Sequence, residues 1–382
     1  MNESSLPVYL DHNATTPVLP EVLDAMLPYL RKHFGNPSSN HVYGRLASDA
    51  VERAREQVAA LVGCAAADVI FTSGGTEANN LAILGSTAGR VEPGSIVTST
   101  VEHPATAEPC RLLERRGWRV DRVAVDEKGC VVAERAVETL REDTALVTIM
   151  HANNETGSVQ PIATIAAAAH DRGALVHTDA AQSAGKIPVR MAALGADLVS
   201  IAGHKLYGPK GVGALCLGPD ATIAPVLWGA NHEGGRRPGT ENVASIAGLG
   251  AACAIAADGV EEEATRVREL RDRLWAKLAD RIPGLKLNGH PEARLPNTLN
   301  VRFPGVRGSA MLTAAPEIAA STGSACHDGG ESASAVLLAA GVDPEAALGS
   351  VRLSLGRLTD EQAIEVAAGA LERAWQRLAG DG

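Results

Sequence analysis

The stretch "VSIAGHKLYGPKG" at 199–211 closes an apolar run at Ile201 and Ala202, then sets His204, Lys205 and three glycines directly after it. Lysines are mostly solvated loop residues. An amine held at the end of a buried strand can instead act as a nucleophile toward a carbonyl group. Other chemistry-bearing residues follow apolar runs in the same way. After "DVIFT" comes "SGGTEANN", where Gly75 and Thr76 open a helix whose free N–H groups and positive dipole end suit a phosphate. After "SIVTST" comes "VEHPA" with His103, after "ALVTIM" comes "HANNETG" with Asn154, and after "ALVH" comes "TDAAQ" with Asp179 and Gln182. Each has an ordinary structural use, His103 as a capping core histidine, Asn154 as a turn former and Asp179 as a helix N-cap. Together they put an anion cradle, an aspartate, two amides, two histidines and a lysine on successive strand ends.

The elements that must position them are short runs rich in Val and Ile, at 68–73, 95–100, 145–150, 174–179, 197–202 and 212–218, alternating with helical patterns such as "PIATIAAAAHDRG". Apolar strands alternating with helices predict an α/β architecture, a mainly parallel sheet covered on both faces. In such sheets ligands bind beyond the carboxyl ends of the strands. The run at 259–282 reads as a long amphipathic helix, after which the βα rhythm is lost. The sequence therefore predicts a large domain over 16–262 and a smaller α+β domain formed by 1–15 and 263–382.

A formal charge of −10 argues against a nucleic-acid or anionic-membrane surface, where a basic patch is expected. The longest nearly apolar run, "IAGLGAACAIAA" at 246–257, is shorter than the roughly 18 to 20 residues that span a bilayer. The N-terminus has no basic segment followed by an apolar core, so a cytoplasmic protein with no membrane partner is expected. Six cysteines without a C-x-x-C pair speak against a structural zinc site and a disulfide framework. No metal is expected. Cys326, in "STGSACHDGGES", differs from the other five in its polar, glycine-bearing setting.

One ligand accounts for the strand-end set, a phosphorylated pyridine aldehyde bound covalently to a lysine. Pyridoxal phosphate needs an amine to hold its aldehyde, a carboxylate to keep its ring nitrogen protonated, and donors around its phosphate and phenolate. Lys205, Asp179 and the 75–76 turn fill these roles.

With "YLDHNATTPV", "FGNPSSNHVYGR", "FTSGGTEANN", "VEHPA", "NNETG", "HTDAAQSAGK", "GHKLYGPKGVGAL", "RPGTEN", "STGSAC" and "VRLSLGR" in order, the chain resembles, nearly end to end, the NifS/IscS-like cysteine desulfurases. These are fold-type I pyridoxal-phosphate enzymes of the class V aminotransferase group. The resemblance implies a large domain with a mainly parallel seven-stranded sheet between helices. It implies that Lys205 anchors the cofactor, His103 stacks over its ring, Asp179 pairs with the ring nitrogen, and Gly75, Thr76 and His204 hold the phosphate. Asn154 and Gln182 would face the cofactor phenolate or the substrate, Asn13 the substrate, and Arg352 would clamp the substrate carboxylate. Thr240 of "RPGT" would reach the phosphate of a neighbouring subunit, implying a homodimer. Cys326 would take sulfur from L-cysteine as a persulfide and pass it to an acceptor protein. The chain departs from the family at Ala202, where many desulfurases carry a phosphate-binding serine. It departs again in "GANHEGG", which replaces a glycine-rich run, and in "HDGGESAS" after Cys326. The "ACH" and the polar loop after it, with "HTDAAQ" and "RPGTEN", are also similar to selenocysteine lyases, the alternative reading. An ordinary class V transaminase or a non-catalytic binding scaffold are further alternatives. The first requires no thiol at Cys326, and the second requires no imine-forming Lys205.

Overall fold

The computed structural model describes residues 6–323 and 332–380, together with the backbone of 326–327 and 330–331. Six strands coincide with the apolar runs: Val69–Thr72, Ser95–Ser99, Thr144–Thr148, Leu175–Asp179, Leu198–Ala202 and Gly213–Leu217. Helices cover both faces, so apolar residues occupy both sides of these strands and no alternation is seen. A seventh strand, Arg119–Val123, pairs with Ser95–Ser99 at the sheet edge. It escapes the apolar pattern because Arg119, Asp121 and Arg122 face outward, as suits an edge.

Across the sheet the order is Val69–Thr72, Gly213–Leu217, Leu198–Ala202, Leu175–Asp179, Thr144–Thr148, Ser95–Ser99, Arg119–Val123. Gly213–Leu217 is antiparallel to both of its neighbours, and the other pairings are parallel. Two reversals restore direction, so every strand but Gly213–Leu217 presents its carboxyl end at one edge. That edge gathers Gly75, Thr76, His103, Asn154, Asp179, Gln182, His204 and Lys205.

The helix expected over 259–282 is the continuation of a longer one, Val243–Arg281, broken at Gly259 (φ −139°, ψ 17°). Its first half lacks a polar face because it is covered. Ile246, Leu249, Ala252, Cys253 and Ala256 pack into a core with Val51, Val58 and Phe71. By length and composition one window of this helix could cross a membrane, but here it lies against helices Pro20–Arg31 and Val42–Val62. In the second half Leu270, Leu274 and Leu278 join a separate core with Leu299, Phe303, Val351 and Leu371. That core lies under an antiparallel sheet ordered Ser350–Ser354, Thr298–Arg302, Lys286–Asn288. Val8–Tyr9 pairs in parallel with Ile318–Ala319. Cys326–His327 and Gly330–Glu331 form a short antiparallel pair.

The loop from 229 to 240 is lashed to the sheet by buried charge. Arg55, on helix Val42–Val62, reaches Glu233 through two hydrogen bonds of 2.8 and 2.9 Å, and the same carboxylate accepts the Phe71 N–H at 2.9 Å. Three consecutive left-handed residues, Glu233 (φ 48°), Gly234 (63°) and Gly235 (81°), bring the carboxylate inward, where its side chain is 2% exposed against 11% for Arg55. Glycine carries this conformation without strain and Glu233 does not, so the ion pair holds the turn. Glu233→Gln leaves the Arg55 guanidinium with only the exposed Glu52 carboxylate, 3.2 Å from its Nε, and is expected to lower unfolding stability by about 3 kcal/mol. The check is a shift of the urea midpoint at unchanged slope.

Candidate active site

At the common strand edge lies a cavity of about 180 Å³ lined by Gly75, Thr76, Asn79, His103, Asn154, Asp179, Gln182, Ala202, His204 and Lys205, among others. Of the residues singled out from sequence it brings together Gly75, Thr76, His103, Asn154, Asp179, Gln182, His204 and Lys205.

Lys205 ends a short turn, Gly203–Lys205, that follows strand Leu198–Ala202 without a linking loop. Its Nζ donates to the main-chain carbonyls of Asn13 (2.5 Å) and Ala14 (2.8 Å). Burial, then the Arg352 guanidinium, lower the amine to about 8, against the opposing pull of Asp179 and Asp11. Close to neutral pH a usable fraction is therefore the free, nucleophilic amine. His204 Nδ1 lies 3.2 Å from Thr15 Oγ1. Burial, followed by the Lys205, Lys210 and Lys186 amines, brings His204 down to about 4, leaving a neutral ring.

Asp179 is the last residue of its strand and is 7% exposed. Its Oδ2 accepts from Asn79 Nδ2 at 2.6 Å and its Oδ1 from the Ala181 N–H at 2.9 Å. Asn79 comes from helix Gly75–Thr87, whose N-terminus opens on the cavity. Gly75 is there for closeness, since a Cβ on it would lie 3.2 Å from the Ala202 Cβ. The alanine leaves no hydroxyl at that point.

Neighbours 102 and 103 turn opposite ways. Glu102 points inward, accepting from Ser99 Oγ at 2.5 Å and from the Met150 N–H at 3.0 and 3.1 Å. Burial raises its carboxyl to about 8, so it is protonated at neutral pH and clasps two strand ends. His103 caps helix Pro104–Arg115 by accepting the Ala105 N–H on Nδ1 at 3.1 Å. That bond puts the proton of the neutral ring on Nε2. Burial lowers its pKa, with Lys205 acting in the same direction and Asp179 opposing.

Arg352 and Asn13 stand beside this cavity. Arg352 is buried on strand Ser350–Ser354 and donates to Asn154 O (3.0 Å), Asp11 Oδ1 (2.7 Å) and Ser321 Oγ (3.0 Å), while its Nε has no partner among the described residues. A guanidinium held in this fixed geometry suits a carboxylate. Asn13 is a junction of the two cores. Its Nδ2 donates to Thr298 Oγ1 and Asn154 O, its Oδ1 accepts from Asn297 and Lys186, and its carbonyl accepts from Gln182 and Lys205. Thr240 is not brought to this cavity. It is exposed on the lashed loop, lining a different depression with Phe71, Ser73 and Arg237. The side chain of Cys326 lies outside the described residues.

Asn79, Lys186 and Asp11 were not singled out from sequence. Asn79 and Lys186 lie within the quoted runs "SGGTEANN" and "HTDAAQSAGK", but Asn79 meets Asp179 and Lys186 meets Asn13 as well as Gln182, and the distant partners leave no local signal.

The chain belongs to the aminotransferase class-V family, matching it over residues 8–366. A cysteine desulfurase of Enterobacter agglomerans is 46% identical over 361 residues, covering 94% of this chain and 90% of that one. A cysteine desulfurase IscS of Dictyoglomus turgidum is 43% identical, covering 97% and 95%. Among solved structures, a NifS-like protein superposes with a TM-score of 0.90 at 35% identity, covering 98% of this chain and all of that one. SspA in complex with cysteine superposes with a TM-score of 0.81 at 34% identity, covering 91% and 98%. The fold is that of the fold-type I enzymes, and pyridoxal 5'-phosphate is the family's cofactor. The residues present fit it. A buried carboxylate, an amine on carbonyls, a helix N-terminus kept open by Gly75 and an imidazole line one cavity.

Proposed function

We propose that this chain is a pyridoxal-phosphate-dependent cysteine desulfurase that converts L-cysteine to L-alanine and holds the released sulfur as a persulfide on Cys326. The convergence of Lys205, Asp179 and His103 on one cavity, in a chain whose relatives are cysteine desulfurases, carries the reading. Those names favour L-cysteine over selenocysteine, the alternative weighed from sequence.

The bound cofactor supplies an electron-poor ring that stabilises charge at the substrate Cα. Asp179 would pair with the ring nitrogen. Gly75, Thr76 and His204 would hold the phosphate, and Gln182 and Asn154 would face the phenolate or the substrate. Arg352, beside the cavity, would bind the substrate carboxylate, with Asn13 fixing Asn154 next to it. Lys205, as a neutral amine, would take the Cα proton, and His103 would stack over the ring and shuttle protons beside it. The thiolate of Cys326 attacks the substrate sulfur. The C–S bond breaks, its electron pair and a proton remain on the carbon as alanine, and an S–S bond forms on the enzyme. Thiol plus cysteine thus become persulfide plus alanine, with no outside oxidant or reductant.

The reading includes a homodimer, in which the exposed Thr240 serves the phosphate of the partner's site. It also includes a cofactor domain over 16–262, a small domain of 1–15 and 263–382 carrying Cys326, and a cytoplasmic setting that keeps the thiol reduced. The persulfide passes to an acceptor protein serving iron–sulfur cluster or thio-modification biosynthesis. After incubation with L-cysteine, the peptide carrying Cys326 is expected to gain the mass of one sulfur atom, read by mass spectrometry. An unmodified Cys326 alongside alanine formation would sink the assignment of the acceptor thiol.

A further inference from the structure

Behind the cavity, and not lining it, lies a second, half-buried lysine. Lys186 Nζ donates to Gln182 Oε1 at 3.0 Å and to Asn13 Oδ1 at 3.1 Å. We infer that Lys186 is a positioning residue that fixes which end of the Gln182 and Asn13 side chains faces the cofactor, and that its loss disturbs the cofactor through them.

The argument is one of donors and acceptors. A side-chain amide can be turned end for end at little steric cost, so its orientation is set by its partners. As an ammonium the lysine has three hydrogens to donate and no lone pair to accept with, so each neighbour presents an oxygen to it. Gln182 then has only its NH₂ to direct elsewhere, and Nε2 donates to the Asn13 carbonyl at 2.9 Å. That carbonyl also receives Lys205 Nζ at 2.5 Å. Asn13, its oxygen held by Lys186 and by Asn297 Nδ2 at 3.0 Å, sends its NH₂ to Thr298 Oγ1 at 2.9 Å and Asn154 O at 3.2 Å. The carbonyl of Asn154 in turn takes Arg352 Nη1 at 3.0 Å. One buried amine thus orders an amide on the cavity wall, the resting place of the Lys205 amine and the approach to the Arg352 clamp. Nothing salt-bridges Lys186 in this network, and burial together with Lys205 and Arg352 lowers its pKa well below the ordinary lysine value. A purely structural lysine has no need of so unfavourable a place, whereas an amide-ordering donor must sit there.

This inference rests on the cofactor-binding reading above. Wild type, Lys186→Met, Gln182→Met and the double variant are each stripped and reconstituted with pyridoxal phosphate. Visible absorption of the bound cofactor is then followed against pH, and cofactor dissociation and kcat/KM on L-cysteine are measured. In Lys186→Met the spectral transition moves to higher pH by ~1 unit, because a phenolate-facing amide hydrogen and a nearby amine are lost together. Cofactor affinity and kcat/KM each fall roughly tenfold or more. The double variant loses less than the sum of the two single variants, since part of the Lys186 effect runs through Gln182 and the rest through Asn13. Lys186→Ala replaces Lys186→Met if the latter does not fold, with the same expectation. An unmoved transition with unchanged affinity in a folded Lys186 variant, or strictly additive effects in the double variant, overturns the inference. Wild type that fails to take up the cofactor overturns the functional reading as well, which distinguishes the two failures.

Discussion

Lys205→Ala is expected to lose at least ~10³-fold in turnover of L-cysteine and to bind pyridoxal phosphate only reversibly. Both effects follow from where the amine sits. It emerges from a buried strand through a three-residue turn and rests on two carbonyls, so it is held in place with few rotamers to lose. Burial and Arg352 bring it to about 8, which leaves it both a competent nucleophile toward the cofactor aldehyde and a base near neutral pH. No other amine can substitute. Lys186 is turned away into the Asn13 and Gln182 amides, and Lys210 is exposed. Borohydride reduction followed by peptide mass spectrometry should find the cofactor of the wild type on the peptide containing residue 205. Label on another peptide, or a Lys205→Ala protein that remains covalently coloured and active, would refute the assignment.

The strand-end residues were legible because a parallel sheet forces a simple relation, in which whatever follows each apolar run arrives at the same edge. Gly75, His103, Asn154, Asp179 and Lys205 are far apart in sequence and share one cavity for that reason. What the pattern misses has equally physical causes. Arg119–Val123 is a strand whose residues are half wet, and an apolar-run criterion passes over it. Val243–Arg281 reads as helical only where solvent touches one side, because its covered first half shows no stripe. Asn79 meets Asp179 a hundred residues away, and Lys186 joins nearby Gln182 to Asn13 across 173 residues, a link that no local spacing encodes. Glu233 is the opposite case. Its loop departs from the family's glycine-rich run, yet the structure uses the departure, with a carboxylate turned inward by left-handed backbone to meet Arg55.

Asp179→Asn should reduce kcat by ~10²- to 10⁴-fold, more than the loss of any neutral neighbour. Two separable effects add. The charge facing the cofactor ring nitrogen disappears, so the protonated ring that withdraws electrons is no longer favoured. The hydrogen-bond pattern also fails, because both oxygens of Asp179 accept, one from Asn79 Nδ2 and one from the Ala181 N–H. An asparagine must point its NH₂ at one of those donors and leave a buried clash of hydrogens. Asn79→Ala isolates the second effect. It keeps the charge and removes one donor, along with an amide oxygen that is buried without a partner, so it should slow turnover by about tenfold at most. Measured side by side, a loss in Asn79→Ala equal to that in Asp179→Asn would mean that positioning rather than charge is what the aspartate provides. The expected ordering, with Asp179→Asn far below Asn79→Ala and both still taking up the cofactor at Lys205, places the electrostatic demand on the one carboxylate that ends the strand beside the lysine.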